Sequence, residues 1–230
     1  MDFFGESLAR ALGLIAAGDA ALLRIVATSL VTAVGAVVAA SLLAIPAGIA
    51  TALGEFRGKT TLKHGLNALM ALPTVVVGLL LYGLLSRRGP LGEFGLLYSP
   101  LAMTIGQTVL IVPLIWNLVL TAVESKDPRL AFTCRVFGAN GWQRALIFAH
   151  ETRYAIVSSM IMGFGRAIGE VGVAMMLGGN IAGYTRTMTT AIALETSKGE
   201  FALALALGVV LLAVALLVNV ALSVLQGRRS

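Results

Sequence analysis

The feature that most constrains this chain is a polar segment caught between long apolar blocks. Apolar stretches run from about Ile25 to Leu53, Leu66 to Leu85, Leu101 to Val123, Ala155 to Leu177 and Phe201 to Leu225. A bilayer core needs roughly 20 apolar residues of helix, so each block is long enough to span. Between the third and fourth lies Asp127 to Tyr154, DPRLAFTCRVFGANGWQRALIFAHETRY. Leu130, Phe137, Leu146 and Phe148 alternate there with Arg129, Arg135, Arg144 and Arg153. Gly138 and Asn140–Gly141 predict two short helices joined by a turn. A basic helix–turn–helix cannot lie in lipid, so it belongs at the membrane surface or against a partner.

Composition agrees. Charged residues make up 12% of the 230 residues and hydrophobic ones 58%, whereas a soluble domain carries roughly a quarter charged. The expected fold is an all-α integral membrane protein. It has about five transmembrane helices, a short N-terminal interfacial helix over residues 1–20 and a helical loop on the cytoplasmic side. Residues 1–230 form one membrane domain. Phe3, Phe4, Leu8, Leu12 and Ile15 can share a face of the N-terminal helix, which Gly18-Asp19 ends. Asp2 and Glu6 stand where a signal peptide would carry Lys or Arg. The single cysteine, Cys134, excludes an intrachain disulfide.

The net charge of +6 points to membrane orientation, not to nucleic acid, because the positives sit in loops. Arg57, Lys59, Lys63, Lys126, Arg129, Arg135, Arg144, Arg153, Arg228 and Arg229 fall on one side. Arg10, Arg24, Arg87, Arg88, Arg186 and Lys198 fall on the other. The first, richer side is expected in the cytoplasm, which puts the N-terminus outside and the C-terminus inside. Pro46 and Pro113 are expected to bend the first and third spans, and Pro73 lies inside the second.

Two nucleotide motifs are decoys. Gly54, Gly58, Lys59 and Thr60 read G-x-x-x-G-K-T, one spacer short of a phosphate-binding loop, and follow a membrane helix instead of a strand. Gly163, Gly165 and Gly169 imitate a dinucleotide fingerprint inside an apolar span, where close helix packing is the better account. No metal-ligand cluster or nucleophile–base set stands out, so no catalysis and no cofactor are expected in this chain.

Arg166 lies about 12 residues into the fourth span, roughly 18 Å along it and near mid-membrane. Glu170 is one turn on, so the two are expected to pair on one face. Such a pair either fixes helix packing or lines the transport path. Thr104, Gln107 and Thr108 share a face of the third span, where they either bond a neighbouring helix or line a pore. Asn180, Tyr184, Thr185, Arg186, Thr187, Thr189 and Thr190 offer donors and one fixed charge, a set that suits a tetrahedral oxyanion and also suits an exposed loop.

The run Phe137-Gly138-Ala139-Asn140-Gly141-Trp142 resembles the core of the loop by which permeases of ABC importers dock into their ATPase subunit. Phe132, Thr133 and Cys134 stand where that loop carries Glu-Ala-Ala. Gly165 to Gly172 and Gly178 to Thr187 resemble the molybdate/tungstate branch of these permeases, and Met188 to Gly199 is most similar to the tungstate type. The resemblance implies a transmembrane subunit that imports tungstate, with molybdate as a further cargo, by alternating access. It implies a second copy of the chain, a cytoplasmic ATPase dimer holding ATP and Mg, and an extracytoplasmic oxyanion-binding protein. Arg135, Phe137, Gly138, Ala139, Asn140 and Trp142 would form the docking loop within residues 127–150. The alternatives are an ABC permease for another anion such as phosphate or sulfate, and a secondary transporter or channel. The latter usually shows internal repeats, and the 163–180 pattern has no second copy.

Overall fold

The computed structural model describes residues 3–227. Asp2, Arg228, Arg229 and the side chains of Phe3, Phe4 and Leu225 lie outside the described residues. The described residues form helices joined by turns, without strands. In order the helices are α1 (Phe3–Ala16), α2 (Ala20–Leu53), α3 (Lys59–Met70), α4 (Thr74–Leu85), α5 (Pro100–Glu124), α6 (Pro128–Val136), α7 (Gly141–Glu151), α8 (Arg153–Ile168), α9 (Gly172–Gly178), α10 (Met188–Lys198) and α11 (Phe201–Gly227).

The bundle is built on α2 and α5, which share the most extensive helix contact. Lipid tails are as apolar as leucine, so burial alone does not hold membrane helices together; close packing must. Small residues supply it. Ala33, Ala36, Ala40 and Ala44 of α2 are fully buried against Ile111, Ile115 and Val119 of α5. Gly48 sits where a Cβ would come 3.1 Å from the Trp116 carbonyl, so the two backbones are nearly in contact there. Val31, Leu42 and Leu43 on the opposite face of α2 are exposed, as are Leu212, Leu216 and Leu217 of α11. Those faces suit lipid.

Asp19 starts α2 by accepting from the Leu22 N–H at 2.9 Å, five residues before the expected span. The expected bends at Pro46 and Pro113 do not interrupt α2 or α5; neighbouring helices support a proline inside a span. α1 packs on α11 with Ala11 and Ser7 buried, so its inner face is covered by protein.

Two expected spans are not single helices. The second breaks at 71–73, and α3 and α4 meet at 94°. Pro73 adopts an extended conformation and starts α4; it lacks an N–H to continue α3, and it disfavours helix at Leu72. The fourth breaks at 169–171, and α8 and α9 meet at 62°. Three helices are therefore long and apolar enough to cross a membrane, or five if each bent pair counts as one span. The basic turn expected over 54–65 is shorter, because α3 begins at Lys59. That lysine caps the end of α2, donating to the Ala52 and Gly54 carbonyls at 2.7 and 3.2 Å. Lys59 and Lys63 also pair with Glu124 at 3.1 and 2.6 Å, tying α3 to the end of α5.

Candidate functional site

The segment after α5 folds as two short helices. Asp127 caps α6, and Pro128 occupies its first position, where a missing N–H loses nothing. Gly138 ends α6 at φ 70°, and the bonds from its N–H to Arg135 and from Ala139 to Cys134 satisfy the last carbonyls. Asn140 and Gln143 then form a reciprocal capping box that starts α7. Ala145, Phe148 and Ala149 pack into the main core, and Cys134 is buried. Arg135, Val136 and Asn140 are exposed, Phe137 is 84% exposed and Trp142 73% exposed. Trp142 and Leu146 border an open apolar groove whose other wall is Ile45, Ile49 and Leu53 of α2. Large aromatics held outward by locally capped helices contribute little to this chain's own packing. They form a surface suited to a protein partner.

The two helix breaks touch each other. A Cβ on Gly172, at the start of α9, would lie 2.9 Å from Thr74 Oγ1 and 3.1 Å from the Val75 nitrogen at the start of α4. Only a residue without a side chain lets the two starts meet. The expected Arg166–Glu170 pair is absent, because α8 ends at Ile168 and the one-turn spacing no longer places both on one helical face. Glu170 is 6% exposed and turned inward, where its Oε1 accepts from the Val173 N–H at 3.1 Å and caps α9. Arg166 is exposed and enters no hydrogen bond or ion pair among the described residues.

Two polar groups of the third span bond to neighbouring helices. Gln107 Nε2 donates to the Ala167 carbonyl at 3.2 Å, and Thr108 contacts the Ala36 carbonyl at 3.5 Å. Thr104 and Thr108 also bond back to carbonyls one turn earlier in α5. Gln107 Oε1 is buried without a partner.

Residues 180–200 are not one polar loop. They turn back as α10, whose first residues reach the α8–α9 break: Thr189 Oγ1 donates to the Glu170 carbonyl at 2.8 Å. Thr187 caps α10 together with Thr190, and the Met188 N–H donates to Ser29 Oγ at 2.7 Å. Thr185 is fully buried, donating to the Gly178 carbonyl and accepting from the Ile181 N–H. Asn180 adopts φ 51° and donates to the Thr190 carbonyl. Arg186 Nη1 lies 3.6 Å from Glu195, and its Nε is buried without a partner. The structure thus gathers Asn180, Thr185, Arg186 and Thr187 into one hydrogen-bonded corner.

The family model of the binding-protein-dependent transport system inner membrane component matches residues 44–230. The chain belongs to that family. The permease is 37% identical to the tungstate uptake system permease protein TupB of Campylobacter jejuni, over 95% of its own length and 92% of the relative's. It is 35% identical to the TupB of Peptoclostridium acidaminophilum over 98% and 99%. A probable anion ABC transporter permease protein of Haloferax volcanii is 39% identical over 86% and 88%.

One residue of the permease that sequence reasoning passed over is Glu195. It is 5% exposed and pairs with both Arg186 and Lys198. The signal was present: Met188, Ala191 and Glu195 are spaced three and four apart and share the buried face of α10. Thr189, Thr190 and Lys198 lower the hydropathy of that stretch and hide its helix.

Proposed function

We propose that the permease imports tungstate, with molybdate as a further cargo, as the transmembrane subunit of an ATP-driven importer. Two copies enclose a central path. ATP is hydrolysed on a separate ATPase subunit, and an extracytoplasmic protein delivers the oxyanion. The excess of Lys and Arg around α3 and α6–α7 favours a cytoplasmic position for that side, with the N-terminus outside.

The observation that carries this reading is the pairing of identity with exposure. A chain that matches a tungstate uptake permease over 95% of its length holds Phe137 and Trp142 outward on a capped helical pair between two spans. In the mechanism, each α6–α7 unit seats on one ATPase subunit. Closure of the ATPase pair moves both units together. The bent pairs α3–α4 and α8–α9 then change their angle at 71–73 and 169–171, and the path alternates between the two sides. The permease supplies the path and the transmitted motion.

The test is reconstitution. Vesicles holding the permease and its ATPase, supplied with the loaded binding protein, are expected to accumulate tungstate only when ATP is present. Accumulation without ATP, or without the ATPase, would support a secondary transporter instead.

A further inference from the structure

We propose that Arg166 is the cationic contact for the oxyanion in transit, at the crossing of the two helix breaks; this deepens the import reading above and rests on it. Arg166 lies thirteen residues past the first residue of α8, roughly 20 Å along the helix and near mid-membrane. A guanidinium at that depth is costly unless a carboxylate, a carbonyl or water meets it. The acid closest in sequence, Glu170, is committed to the N-terminus of α9. The ion pairs among the described residues belong to Glu124 and Glu195, neither of them with Arg166.

The surroundings give the charge a site. Arg166 lines a concave pocket of about 150 Å³ with Leu69, Met70, Leu72, Leu110 and Leu114. Met70 ends α3, and Leu72 lies within the break between α3 and α4. That break touches the start of α9 through Gly172. α4 also begins there with no side-chain cap on its first turn, so the positive end of its dipole adds to the arginine charge. Discontinuous membrane helices of this kind bracket substrate sites in transporters, because their ends supply dipoles at mid-membrane and their breaks supply hinges. The arginine charge repels cations, and the leucine walls offer a dianion few other contacts, so it is attracted without being held. The planar guanidinium presents a fork of donors to a tetrahedral oxyanion.

The test separates the arginine's role from the identity of the cargo. A Leu72→Cys reporter in a Cys134→Ser background is labelled in membranes carrying the assembled importer. One thiol reagent is an anionic methanethiosulfonate and the other a cationic one. Relative to Arg166→Gln, the Arg166 protein is expected to favour the anionic reagent by about tenfold, and Arg166→Lys is expected to keep the bias. Equal reagent ratios with Arg and Gln overturn the proposal whichever oxyanion is carried. Tungstate is expected to slow the anionic labelling; protection by sulfate alone would keep Arg166 in place and overturn the cargo. In the uptake assay, Arg166→Gln is expected to lower transport at least about tenfold with the ATPase still bound, and Arg166→Lys to recover most of it. Unchanged uptake with Gln overturns the proposal.

Discussion

Aspartate at both Phe137 and Trp142 is expected to abolish co-purification of the ATPase subunit while the permease still inserts and remains folded. The two side chains are 84% and 73% exposed, so the chain loses little of its own packing when they change. Burying a large apolar side chain in a partner contributes roughly 1.5–3 kcal/mol. Two such anchors therefore account for about a hundredfold or more in affinity, and desolvating two carboxylates in the same groove adds to the loss. The fold around them is set by the Asn140–Gln143 box and by Gly138, which neither change touches. The check is affinity capture on a tagged permease, with membrane fractionation alongside. Intact capture would contradict a docking role for this surface. Asn140→Ala is the milder companion. It removes the α7 cap, worth about 1 kcal/mol, and should weaken capture less than the aromatic changes.

Glu195→Ala is expected to have the largest effect on the bundle itself. The carboxylate is 5% exposed and answers Arg186 at 3.6 Å and Lys198 at 3.1 Å. Lys198 is half exposed and can turn to water, but Arg186 is largely covered and cannot. Removing one partner of a buried pair leaves an uncompensated charge and costs about 3–5 kcal/mol. That corresponds to a fall of roughly 10 °C in the melting midpoint for a chain of this size. The double change Glu195→Ala with Arg186→Met should melt above Glu195→Ala alone, because the orphaned charge is gone. Melting of the detergent-solubilised protein decides it. A midpoint within a degree or two of the parent for Glu195→Ala would show that α10 does not depend on this pair.

What could be read in the sequence was what local chemistry determines. Gly138, Asn140 and Gln143 define the α6–α7 turn without help from distant residues, so that element was legible to within a few positions. The third span was equally plain, since Ser99 and Pro100 mark its start and Glu124 its end. The two broken spans were not legible. Averaged hydropathy stays high across 71–73, and across 169–171 the charge of Glu170 reads as a pairing partner for Arg166; hydropathy reports what lipid tolerates, not where a helix turns. Pro73 and Gly172 were visible as residue types. Their meaning depends on each other, because the break at one is accommodated by the absent side chain at the other.

The candidate site divided the same way. A helical pair at the membrane surface or against a partner was expected from its placement between spans, and Phe137 and Trp142 were singled out by the resemblance; both are exposed. The Arg166–Glu170 pair was expected from a one-turn spacing that holds only while the helix continues, and the helix stops at Ile168. Glu195 was hidden because a buried carboxylate in a polar-looking stretch has no local signature. Its burial comes from α10 folding back against α2 and α11.

The measurement that bears most directly on the account is the tungsten, molybdenum and sulfur content of cells with and without this chain, by elemental mass spectrometry. The medium would supply all three oxyanions. Tungsten is expected to fall to background without the permease, with molybdenum falling less and sulfur unchanged. Tungsten unchanged in cells lacking the chain would contradict the account's claim that this permease imports tungstate.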